Sequence, residues 1–325
     1  MGTSTKQSFV QPNSRSSSPP PPTIFSRFSR VSLQWTGFTN FQSLIMFLST
    51  VVVFALFSMS QTTWMRPQAP GGKFWFERSW RLGWGLRWHA WLMIPVGIIL
   101  PLQFIPRLRA KNPALHRWIG RLLILAVSLG NVGGMVATRH SFGGTITAQT
   151  SFGTLVVISS FSLFKAWVSI RAGRVHRHRV WMLRAWSYIC SVLTLRLLMA
   201  VFSFSLVLLS PNRYKTVSTC AEILHTYKTL SCNFTRSLPR LLERYPTCAD
   251  LSDDGAKGVF VAVNASLDVM RPEEIFSMLS LVYGTCAFLG LMIHVLGVEV
   301  YLEWSKAEDV RLIKVEKNGK SGSER

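Results

Sequence analysis

The chain has 325 residues, of which 48% are hydrophobic and 16% charged, with a mean hydropathy of +0.26. Soluble domains carry about 25% charged residues, so this composition excludes an ordinary soluble domain and points to membrane spans. The net charge of +21 raises nucleic acid as a partner, but the basic residues flank apolar runs and no nucleic-acid module occurs, so that partner is excluded.

Residues 1–40 are Ser- and Pro-rich, basic and free of Asp and Glu. The SSSPPPP run from Ser16 reads as a disordered or polyproline tail. Lys6 stands where a myristoylation motif wants Ser or Thr. An acid-free, Ser/Arg-rich tail also fits an organellar transit peptide, whereas the first apolar run begins too late for a cleavable secretory signal.

The expected fold class is all-α, an integral membrane helical bundle of about six spans. The apolar runs are 41–60, 88–106, 118–138, 151–170, 185–210 and 277–300. The 41–210 bundle is followed by a polar loop at 211–276, the sixth span and a tail at 301–325. Pro95 and Pro101 fall in the second run, where membrane helices tolerate them. The Gly133-Gly134 pair reads as helix packing and Gly143-Gly144 as a turn. Pro272, Glu273 and Glu274 suit the first turn of the last helix.

Lys and Arg counts in the short segments set the orientation. With the N-terminus inside, the inner segments hold 20 (four in the tail, five in 107–121, five in 171–184, six in 306–325), against six in the two short outer loops. Both termini are therefore expected in the cytoplasm. The loop after the first span also carries Trp64 and Trp75, and the Trp series continues through Trp80, Trp84 and Trp88. This reads as an aromatic belt at the interface, with a ligand-binding lid as the alternative.

The extracytoplasmic 211–276 loop looks too short and polar for a sizeable core of its own. It contains Cys220, Cys232 and Cys248, enough for one disulfide and one remaining thiol. It also holds two glycosylation sequons, at Asn233 and Asn264. Their side agrees with the charge count, and together they favour a secretory-pathway or plasma membrane, with an organellar membrane as the alternative. Cys190 and Cys286 lie in spans and read as packing residues.

Arg196 is the sharpest anomaly. It follows Arg184 by 12 residues, roughly 18 Å into the fifth span at ~1.5 Å per residue. A charge there needs a partner, and no span interior holds Asp or Glu; Glu299 lies at the inner end of the sixth span. The partner is a carbonyl or polar side chain, or a non-protein anion. His178 and Arg196 are 18 residues apart and share a helix face. On the third span His116, Gly120, Val127, Asn131 and Gly134 share another. The candidate ligand-binding set is thus His116, His178, Arg196, Asn131 and Arg184.

The histidines sort by depth. His116 and His178 lie at the inner surface, His294 in the inner half of the sixth span, and His89 and His140 near the outer surface. Histidines at matching depth on different helices suit haem b ligation, which makes these five candidate haem ligands. The competing readings are structural or headgroup-bonded histidines, and a metal site of His116, His178 and His294. No Walker loop, HExxH, GxSxG or CxxC occurs.

The order Gln103-Phe104, Pro106-Arg107-Leu108-Arg109, Leu115-His116-Arg117-Trp118-Ile119-Gly120-Arg121, a Gly-rich helix, His178-Arg179-x-Trp181-Met182-Leu183-Arg184 and Thr194-Leu195-Arg196-Leu197 resembles the membrane-protein family DUF2306. The similarity covers about residues 85–210. It implies a multi-pass membrane protein and supplies no catalytic residues. It supports His116, His178 and Arg196 as the places to look. The cysteine-bearing insert and His140 depart from the family pattern.

Two functions follow. One is a haem-binding transmembrane redox protein with Arg196 pairing a propionate. The other is a non-redox membrane protein that binds or transports an anionic small molecule or lipid.

Overall fold

A computed structural model describes residues 33, 36, 41–62, 79–230, 234–249 and 258–322. The architecture is an antiparallel bundle of long apolar helices with a small capped insert at one end. Helix α1 is Phe41–Gln61 and α2 is Trp80–Ile99, continued by a 3-10 turn at Leu100–Phe104. The short α3 (Pro106–Lys111) leads into α4 (Pro113–Thr138). After a 3-10 connection at Ser141–Gly144 come α5 (Ile146–Arg171) and α6 (Val175–Leu209). The last helix of the chain is Pro272–Gly322.

Five helices among the described residues are long and apolar enough to cross a membrane: Trp80–Phe104, Pro113–Thr138, Ile146–Arg171, Val175–Leu209 and Pro272–Lys306. The first expected span forms α1, an apolar helix that packs on α2 and exposes Ile45, Val52, Leu56 and Met59. The second to sixth spans all begin earlier than their apolar cores suggest, by eight residues at Trp80 and ten at Val175. A helix does not end where hydrocarbon ends. Its charged first turns keep their backbone bonds and carry Lys and Arg heads into the interface. His116 and His178 are accordingly helical residues.

Each helix end has a local cause. Pro113 and Pro272 occupy first-turn positions, where a missing N–H costs nothing. Thr145 caps α5 by accepting from the Ala148 N–H at 3.2 Å. The α4–α5 connection needs left-handed backbone, and Gly143 supplies it at φ 81°. Gly173 (φ 69°) ends α5, and the Arg174 N–H returns to the Ser169 carbonyl at 2.9 Å.

The helices form two packed groups: α1, α2 and α4 on one side, and α5, α6 and the last helix on the other. Close approach uses small residues, because lipid provides no hydrophobic drive between helices. A Cβ on Gly133 would lie 2.7 Å from the Gly85 carbonyl oxygen, and one on Gly284 2.9 Å from the Ala148 nitrogen. On α5, Ser151, Ser162 and Ser169 are buried and donate to carbonyls four residues earlier. The groups meet through Leu123, Val127, Leu163, Ala185 and Trp186. Outward faces are apolar, as lipid requires: Leu197 is 70% exposed and Trp80 72%. Trp80, Trp84, Trp88 and Trp91 are all exposed on α2; Trp64 and Trp75 lie outside the described residues.

The insert has a small core of its own. Strand β1 (Lys215–Thr219) pairs antiparallel with β2 (Phe260–Asn264), Lys215 opposite Asn264. Between them lie α7 (Cys220–Leu230) and α8 (Phe234–Arg244); the last helix is therefore α9. Ile223, Tyr227, Leu241, Tyr245 and Val263 close around a Cys220–Cys248 disulfide. The disulfide adds the constraint that so small a core needs. Thr219 and Glu222 form a reciprocal capping box at the start of α7, with the Thr219 N–H donating to Glu222 Oε2 at 2.9 Å and the Glu222 N–H to Thr219 Oγ1 at 3.2 Å. Burial pushes the Tyr245 phenol up to about 12, so it stays neutral. Glu273, only 3% exposed, accepts from Arg244 Nη1 at 2.8 Å and ties the insert to the first turn of α9. Asn264 donates through Nδ2 to Asn212 Oδ1 at 2.7 Å. Asn233 and Cys232 lie outside the described residues.

Candidate functional site

A cavity of about 260 Å³ opens between the two helix groups, its wall running from Gln61 and Ser141 on the side of the insert to Leu100 and Trp186. α1 contributes Ser58 and Gln61, α2 His89 and Met93, and α4 Asn131 and Gly134. From the other group come Ser159 of α5, Arg196 of α6 and Tyr283 of α9. Most of the remaining wall is apolar, including Phe54, Phe142 and Trp186. A few polar groups converging in an apolar, concave site are the usual constitution of a small-molecule pocket.

Arg196 is the charged residue of this wall. Its neighbour Leu197 faces lipid, while Arg196 is half-buried and turns inward. Its Nε is buried without a hydrogen-bond partner among the described residues. Its guanidinium carbon lies 5.8 Å from the centre of the Phe142 ring, and it lies near enough to Tyr283 to act on its phenol electrostatically. A cation over an aromatic face recovers part of the desolvation cost, but supplies no acceptor for the N–H. Asn131 shares the cavity with Arg196, although its Nδ2 donates to Ser160 Oγ at 3.0 Å.

His89 is fixed by α4. Its Nδ1–H donates to the Gly130 carbonyl at 2.8 Å, which leaves Nε2 as the nitrogen with a free lone pair. Gly134 makes room for this ring, since a Cβ there would lie 2.9 Å from Nδ1.

The remaining sequence candidates do not converge here. Arg184 is taken: its Nε and Nη2 donate to Glu299 Oε1 and Oε2 at 2.6 and 2.7 Å, a two-pronged pair joining α6 to α9. Arg184, a candidate ligand-binding residue in the sequence, thus has a protein partner for its guanidinium. His178 Nδ1–H donates to the Ala166 carbonyl of α5 at 2.9 Å. His294 hydrogen-bonds with Thr194 Oγ1 through Nε2 at 2.7 Å, and its Nδ1 is 3.5 Å from Ser187 Oγ. His294 is therefore a helix-joining residue, apart from His116 and His178. No group of three His, Cys, Asp or Glu capable of holding a metal occurs among the described residues. His140 sits at the end of α4 outside the cavity; burial holds it below its ordinary pKa, with Glu222 opposing and Arg139 adding to the effect. His116 lies at the far end of the bundle, close enough to His178, Arg109 and Arg117 to interact electrostatically.

The polar lining residues that sequence reasoning missed include Gln61 and Ser58 of α1, Ser159 of α5 and Tyr283 of α9. Gln61, Ser58 and Tyr283 carry no motif, and only packing brings them to the cavity. The polar residues Ser58 and Gln61 at the end of an apolar run were the signal the sequence offered.

No curated protein and no solved structure matches the chain. Residues 86–226, running from α2 through α6 into the insert, match the family model described as predicted membrane protein DUF2306, the family that the His-Arg motifs resemble.

Proposed function

We propose that this membrane protein binds a small amphipathic anion, with Arg196 as the charge anchor of the cavity between the helix groups. The observation that carries this is the buried, unpartnered Nε of Arg196 at the wall of an otherwise mostly apolar chamber. A carboxylate or phosphate would accept from the guanidinium, and an apolar body would lie against Phe54, Met93 and Trp186. The volume, about 260 Å³, lies below the ~300–1,000 Å³ of drug-sized sites. It suits a short-chain acid or the end of one lipid chain better than a macrocycle.

The test is analysis of ligands co-purified with the full chain in mild detergent, followed by binding of a short-chain fatty acid as probe. Wild type should bind the acid, Arg196→Leu should lose binding, and Arg196→Lys should fall between them because it keeps charge without the planar fork. Equal binding by all three would sink the proposal.

One observation favours the haem reading: the Nδ1–H tautomer of His89 leaves Nε2 available to iron. A reduced-minus-oxidised absorption spectrum of the purified protein decides it. Sharp haem bands that His89→Ala abolishes would replace the anion by haem b.

The orientation belongs to the same reading. Twenty basic residues in the inner segments against six in the two short outer loops support cytoplasmic termini and an extracytoplasmic insert, in a secretory-pathway or plasma membrane.

A further inference from the structure

At the end of the bundle remote from the insert, α2 closes with Gln103 and α4 opens with His116. Gln103 approaches the face of α4 that carries His116 and Gly120. A Cβ on Gly120, one turn beyond His116, would be 3.5 Å from Gln103 Oε1. Gln103 Nε2 and His116 Nδ1 are both buried, and neither has a hydrogen-bond partner among the described residues. Buried polar atoms left unsatisfied are costly unless something supplies a partner.

The charges around them say what that is. Arg109, His178 and Arg117 all act electrostatically on His116. No Asp or Glu occurs anywhere between Glu77 and Glu222, and Glu299 is engaged by Arg184. A divalent cation here would face Arg109, Arg117 and His178. An oxyanion would accept from the Gln103 amide and the His116 ring, with Arg109, exposed at the rim, completing its charge balance.

We infer that Gln103, His116 and Arg109, none of which lines the Arg196 cavity, form a phosphate-binding site at the end of the bundle remote from the insert. The site lies at the level where Trp118, 63% exposed, and the neighbouring basic turns mark the membrane interface. The phosphate is that of a lipid headgroup or a free phosphate.

The full chain in phosphatidylcholine nanodiscs containing a minor fraction of phosphatidate provides the test, with lipid retention read by native mass spectrometry. Wild type should retain phosphatidate over phosphatidylcholine, and Gln103→Leu should reduce that preference about tenfold, the loss of one hydrogen bond to a charged group. Arg109→Gln, at an exposed position, should weaken it without disturbing the fold, which melting in plain phosphatidylcholine discs checks for each variant. Arg174→Gln, an exposed arginine on the same side, should change it little. Inorganic phosphate is then added: displacement of the lipid assigns the site to free phosphate, and persistence assigns it to the headgroup. No preference for phosphatidate together with no binding of inorganic phosphate overturns the inference. So does an Arg174→Gln effect equal to that of Gln103→Leu, which would mean a diffuse surface field. Arg196→Leu should leave this retention unchanged, so the outcome is independent of the cavity's role.

Discussion

At the scale of single residues, the bundle separates charges that are satisfied from charges that are not. Arg184 and Glu299 satisfy each other across α6 and α9, with side chains 22% and 42% exposed. The pair is partly screened, so its coupling should be near the top of the surface range, about 1 kcal/mol. A double-mutant cycle with Arg184→Gln and Glu299→Gln, read by melting in detergent, checks this; additive losses would show that the pair is not coupled. Among the described residues Arg196 has no such partner. If its role is ligand binding, Arg196→Leu should cost little stability while abolishing probe binding. The sequence made Arg196 conspicuous because a lone Arg in an apolar run is expensive. It did not show that Phe142, from a different connection, lies beside the guanidinium.

At the scale of elements, contact between helices rests on missing side chains. Gly133→Leu would press a side chain into the Gly85 backbone, and backbone gives way less readily than a flexible side chain. The expected loss is about 1–3 kcal/mol, with α2 displaced and the His89–Gly130 bond broken; a lower melting temperature and loss of probe binding together would report it. The insert depends on a different device. Cys220→Ser should cost about 2–5 kcal/mol locally. Limited proteolysis should then cut within 211–271 while the spans remain protected, and an equally resistant insert would argue that its core suffices alone. The helices themselves were legible from apolar length, but their starts were not, because amphipathic basic turns at Trp80 and Val175 extend them past the hydrocarbon. The insert's core was not legible either. Its apolar residues are spread thinly from Ile223 to Val263 and become a cluster only when β1 meets β2 and the disulfide closes.

For the whole molecule, orientation is the open consequence. Glycosylation of Asn233 or Asn264 in a microsomal translation assay, with the C-terminus accessible to added protease, is the expected result. A protected C-terminus would reverse the topology. The sequence alone determined that the chain is a multi-pass helical membrane protein with the DUF2306 motifs, since span length, low charge and motif order are one-dimensional properties. It also pointed to Arg196 through the cost of a solitary charge. Only the tertiary structure decided which polar residues share space. Arg184 and Glu299 lie 115 positions apart in the chain and bond to each other, whereas His116 and His178, linked by their motifs, stand at one end of the bundle and Arg196 in mid-helix. The physical reason is that helix periodicity fixes a residue's face, but only packing of one face against another fixes its neighbour.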